Sequence, residues 1–175
     1  MGNAGAARRG AATTVDVGPV FGLALAIMRI YFGLVFFTNG LAKFAPSIAH
    51  TPFGFLIDNP GAKGILTFYA HKNQVGLYRS LVDQFILPNW NFFGPAEGLV
   101  ELIVGALLVL GLFTTLAALV GALLQLHLQF ASLFSNQWLF EYSVEWIPLL
   151  VLAAVGAGRW YGLDGRRPHT ARWLR

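Results

Sequence analysis

Four stretches of this chain are long and apolar enough to cross a bilayer, and that limits its fold more than any other feature. Hydrocarbon is about 30 Å thick and a helix rises about 1.5 Å per residue, so a span takes about 20 mostly apolar residues. The stretches cover about 20–43, 95–113, 115–134 and 144–161. In lipid a segment must satisfy its own backbone hydrogen bonds, which leaves the helix for segments of this length. The expected fold class is therefore an all-α membrane protein, a four-transmembrane-helix bundle. Composition agrees: 56% of residues are hydrophobic and 11% charged, whereas soluble domains carry about 25% charged residues.

Only GLFTT separates the second and third spans, so they should form a tight antiparallel hairpin. Basic residues near span ends mark the cytoplasmic side. Arg8 and Arg9 precede the first span, and Arg159, Arg166, Arg167, Arg172 and Arg175 end the chain. Both termini are thus expected in the cytoplasm, with residues 1–19 a disordered tail, 20–165 the membrane domain and 166–175 a basic tail. Arg29 interrupts the first apolar run, which argues for a retained helix rather than a cleaved signal.

The loop at 44–93 then faces outward. Gly-Ala-Lys-Gly at 61–64 is expected to break it, and beyond that Tyr78, Leu81, Val82 and Phe85 recur at helical spacing. An amphipathic helix is expected there, lying in the outer interface or capping the bundle.

Charge inside the spans is costly and therefore informative. At helical spacing Arg29, Gly33, Phe36, Gly40 and Lys43 share one face of the first span. Glu97, Glu101 and Gly105 share one face of the second, Gln125 and Gln129 one of the third, and Glu141, Glu145 and Arg159 one of the fourth. Small residues let helices approach closely, and polar groups turn inward, so these stripes should converge. The expected pairings are Lys43 with Glu97 and Arg29 with Glu101, joined by Glu145. Two readings of the cluster stand. It fixes helix register, or it forms a polar ligand site or proton relay. Gln125, Gln129 and His127 are expected to bond between helices. Trp90 and Trp146, with Phe92, Phe93, Trp138, Phe140 and Tyr142, read as an interfacial belt or as the mouth of a site for a flat apolar head group.

The chain has no cysteine, which removes disulfides, iron–sulfur clusters and covalent haem. It shows no Gly-rich nucleotide fingerprint, no paired haem-ligand histidines and no metal-ligand pattern. The formal charge of +4 sits at the chain ends, where it reports orientation rather than nucleic-acid binding.

Arg29-x3-Gly33 through Gly40-x2-Lys43, Glu101-x3-Gly105 with Gly111 and Thr114, and the closing Gly156-x-Gly158-Arg159 with Leu163-Asp164 together resemble the DoxX/DoxD family of small four-helix membrane proteins. The long aromatic-rich loop leans toward the DoxD type, the small membrane subunit of thiosulfate:quinone oxidoreductase. The resemblance implies residence in the plasma (inner) membrane, a lipid environment, a second protein subunit or homo-oligomer as partner, and quinone as a bound substrate. On it, Glu101 and Glu97 would be catalytic, exchanging protons, while Arg29 and Lys43 would bind quinone or an anionic substrate; the stripes and aromatic mouth read above add Glu145, Trp90 and Trp146 to that binding site. The competing functions are a non-catalytic anchor or assembly partner of a larger complex, and a small transporter.

Overall fold

A computed structural model describes residues 18–45, 47, 50–52, 54, 61–136, 138 and 140–166. The expected tails lie outside these, apart from residues 18, 19 and 166. The described residues are helical, with no strand among them. The chain order is α1 (Gly18–Phe44), α2 (Ala62–Lys72), α3 (Gly76–Leu81), a π-helical turn (Val82–Ile86), α4 (Trp90–Leu110), α5 (Thr114–Ser132) and α6 (Ser143–Val155). Two short 3₁₀ turns follow, Ala157–Arg159 and Leu163–Arg166.

Three helices, α1, α4 and α5, are long and apolar enough to cross a membrane. The fourth expected span is shorter than its apolar stretch. α6 ends at Val155 because Gly156 takes the left-handed conformation (φ 60°) that stops a helix. Its 13 residues rise about 20 Å, against about 30 Å of hydrocarbon. Arg159 consequently leaves the face it was expected to share with Glu145, and its guanidinium bonds to the Val155 and Gly156 carbonyls at 2.8 and 3.3 Å.

The bundle consists of two antiparallel pairs, α1 with α4 and α5 with α6. Glycines set the first pair. Gly33 lies against Gly105 and Val109, and Gly40 against Gly98 and Leu102. A Cβ added at Gly40 would stand 2.7 Å from the Gly98 carbonyl oxygen and the Leu102 nitrogen, so the backbones themselves touch. Between the pairs, Phe36, Val104, Leu108, Ala118, Leu149 and Leu152 form the buried core.

The loop between α1 and α4 folds over one end of this bundle. The sequence reading takes Gly61–Gly64 for a break, yet α2 begins there, with Gly64 inside its first turn. The amphipathic stripe at 78–85 is divided. Tyr78 and Val82 are buried with Leu66, Tyr69 and Ala70, while Leu81 and Phe85 are about half exposed. For Phe85 the reason is the π-helical turn over Val82–Ile86, whose wider winding removes it from the α-helical register. Asn73 fixes this lid to the bundle. Fully buried, it donates to the Phe130 and Ala131 carbonyls at 2.9 and 3.2 Å, near the C-terminal end of α5.

Candidate functional site

Under the lid lies a cavity of about 350 Å³ to which α1, α2, α4, α5 and α6 all contribute. Its polar part begins with Lys43, in the last turn of α1, which the Gly40–Gly98 contact brings beside α4. The Lys43 ammonium reaches Glu101 Oε2 at 2.5 Å and Glu97 Oε1 at 4.0 Å. One helical turn separates the two carboxylates, so a single ammonium serves both. They differ in access: the Glu101 side chain is 12% exposed and that of Glu97 34%. Glu145 reaches the same cavity from the first turn of α6.

The expected pairing of Arg29 with Glu101 is therefore corrected, and the cause is register. Fourteen residues separate Arg29 from Lys43, about 21 Å of helix, whereas four separate Glu97 from Glu101, about 6 Å. One antiparallel alignment cannot match both pairs. With Lys43 beside Glu97 and Glu101, Arg29 falls at the far end of α4. There its buried guanidinium donates to the carbonyls of Leu108, Val109 (3.0 Å) and Tyr161 (3.4 Å). A cation at a helix C-terminus satisfies orphan carbonyls and suits the helix dipole.

Asp164 supplies the complementary group across the three-residue turn between α4 and α5. Its carboxylate accepts the Phe113 and Thr114 amides, both at 2.9 Å, and its own amide donates to the Gly111 carbonyl at 2.8 Å. It thus caps α5, where no side chain of the adjoining segment does so. Arg29 and Asp164 attract each other electrostatically. Their bonds also retain two aromatic residues in left-handed backbone, Phe113 (φ 48°) and Tyr161 (φ 54°), a conformation costing about 1–2 kcal/mol each. Sequence reading places Asp164 in a motif without a role, because its partners are about fifty residues upstream.

Aromatic groups wall the cavity. Trp90 and Phe93 from α4 line it, with Tyr142 at the start of α6. Trp146 does not; it packs on the bundle core, where its Nε1 has no hydrogen-bond partner among the described residues. Among residues proposed from the sequence, then, the structure brings together Lys43, Glu97, Glu101, Glu145 and Trp90, and leaves Arg29 and Trp146 outside the cavity lining.

The sequence reading missed the hydroxyl groups of the lid. His127 Nε2 shares a hydrogen bond of 3.1 Å with the Tyr78 hydroxyl, which is the interhelical bond expected for this histidine. Burial pushes the Tyr78 hydroxyl up to about 12, so it stays protonated at neutral pH. Tyr142 bonds Tyr69 at 2.9 Å, and its hydroxyl is raised by burial first and then by that bond and the neighbouring Tyr69, Glu141 and Glu145. Gln125 and Gln129 depart from expectation, because the Oε1 atom of each is buried with no partner among the described residues. Gln125 lines the cavity. Leaving such a carbonyl unsatisfied costs about 1–3 kcal/mol.

The arrangement can therefore hold a small molecule with an apolar body and a polar end, beside an ion pair that one carboxylate links to the surface. No group of three or more metal-ligating side chains occurs among the described residues. A family model described as DoxX matches residues 24–132 of the 175, from within α1 through α5. Among curated proteins and among solved structures, nothing matches the chain.

Proposed function

The chain belongs to the DoxX family of membrane proteins, and on that premise we propose that it is a subunit of a quinone-linked oxidoreductase, of the thiosulfate:quinone type. In this reading α6 and the residues after it complete a fourth crossing, both termini face the cytoplasm, and the lid lies on the outer side of the plasma membrane. The observation that carries the reading is the cavity joining the Lys43–Glu101 ion pair to the Trp90 and Phe93 walls. The residues fit the head group: Trp90, Phe93, Ile65 and Leu128 offer apolar surface for a flat ring, and Lys43 a donor for its oxygens.

A bound quinone would accept electrons and protons in equal number. The electrons come from the oxidised donor, thiosulfate in this reading, through a partner subunit. The protons fall to this chain. Glu97 exchanges with water, Lys43 stands between the two carboxylates, and Glu101 delivers to the cavity. A carboxyl acts well as an acid–base group where desolvation and a neighbouring cation oppose each other.

Glu101→Gln tests this, since it keeps shape and removes the exchangeable proton. Folded yield should hold while thiosulfate-dependent reduction of decylubiquinone falls about a hundredfold, the lower range for a lost acid–base group. Normal yield with unchanged turnover would overturn the proton role. Should the wild-type protein show no such turnover while a partner co-purifies with it, it is instead an assembly subunit.

A further inference from the structure

The balance of charge and of hydrogen-bonding capacity in the cavity points to a second ligand class. Three carboxylates line it, Glu97, Glu101 and Glu145, against one lysine. Lys43 serves the first two. Glu145 takes part in no ion pair among the described residues, although it lies in a half-buried position at the head of α6. An isolated carboxylate with restricted access to water demands a cation or a proton.

Gln125 is an independent observation pointing the same way. It is 6% exposed, lines the cavity from α5, and has a buried Oε1 without a partner among the described residues. Glu145 and Gln125 thus bring acceptor groups to one cavity from two different helices. The neighbouring walls are Trp90, Phe93 and Tyr142, whose ring faces attract cations by their quadrupole. An excess of negative charge also opposes entry of any oxyanion.

We propose that this cavity binds an amphiphilic organic ammonium ion. Its N–H groups donate to Glu145 and Gln125, and its apolar body lies against Trp90 and Phe93. This goes beyond the quinone reading, since it involves no electron transfer. It also places the oxidation of any anionic donor elsewhere than in this cavity.

Three probes sharing one ring system and differing in charge test the proposal: 1-naphthylmethylammonium, 1-naphthylmethanol and 1-naphthoate. Each is titrated calorimetrically into the full chain in phosphatidylcholine nanodiscs, with empty nanodiscs subtracted. The ammonium should saturate one site at least about tenfold more tightly than the alcohol, and the carboxylate should not bind. Glu145→Gln should weaken the ammonium about tenfold or more, as expected for losing a hydrogen bond to a charged group, and leave the alcohol unchanged. Gln125→Leu, which removes the other acceptor, should weaken the ammonium as well and serves if Glu145→Gln does not fold.

Equal affinity for ammonium and alcohol would overturn the proposal. So would unchanged ammonium affinity in a folded acceptor variant, or an absence of saturable binding. A parallel titration with decylubiquinone separates the two readings of the cavity. Quinone binding without ammonium binding defeats this inference alone, and the converse defeats the quinone reading alone.

Discussion

Gly105→Val is expected to abolish the pairing of α1 with α4. A Cβ at position 105 would fall on the Phe37 amide nitrogen, and it would lie 2.7 Å from both the Phe37 Cα and the Gly33 carbonyl oxygen. These are backbone atoms, so no rotamer change can make room and the helices must separate. Overpacking a core costs about 1–3 kcal/mol when side chains can adjust; here the loss should exceed that range. Separation would also open the Gly40–Gly98 contact that sets Lys43 beside Glu101. The measurements are the monodisperse fraction on size exclusion in detergent and the thermal midpoint, both of which should fall. Gly64→Ala is the control. Nothing lies within 4 Å of the added Cβ, and in the first turn of α2 alanine should stabilise by about 0.5–1 kcal/mol. A Gly105→Val protein as stable as wild type would disprove the backbone contact.

Asp164→Ala should destabilise the chain by about 1–3 kcal/mol for each of the two backbone donors it leaves unsatisfied. Two effects combine. The Phe113 and Thr114 amides at the head of α5 lose their acceptors, and the buried Arg29 loses a favourable charge nearby. Phe113 should then relax from its left-handed conformation, loosening the turn between α4 and α5. Asp164→Asn retains an acceptor oxygen and should lose less. Combining Arg29→Met with Asp164→Ala should cost less than the sum of the single losses, because neither charge is left stranded. Chemical denaturation in mixed micelles gives all four values. Strict additivity would show that the two residues act independently.

Helices and their stripes were legible in the sequence because membrane burial leaves a plain signature, an apolar run with inward-facing polar and small residues. The Gly33/Gly40 face, the Glu97/Glu101/Gly105 face and the pairing of Lys43 with Glu97 follow from spacing alone. Arg29 did not, because spacing along one helix says nothing of where its partner helix begins; the relevant number was the distance from Lys43, already present in the chain. α6 was read too long because Gly156 looks like any small residue in an apolar run, and its left-handed backbone is a tertiary outcome. Asp164 and Asn73 were missed for a common reason. Each caps a helix about fifty or more residues away, whereas capping rules recognise only neighbours. The membrane lid was half legible: the period of Tyr78 and Val82 held, and the π-helical turn then displaced Phe85.

The buried core lies between the cavity and the Arg29 end of the bundle. Phe36, Leu108, Leu149 and Leu152 are almost wholly enclosed there, and Arg29 and Asp164 lock the turn beyond them. Among the described residues, the cavity is therefore backed on that side by packed core. A path continuing from the cavity to the Arg29 end would have to part Phe36, Leu108, Leu149 and Leu152.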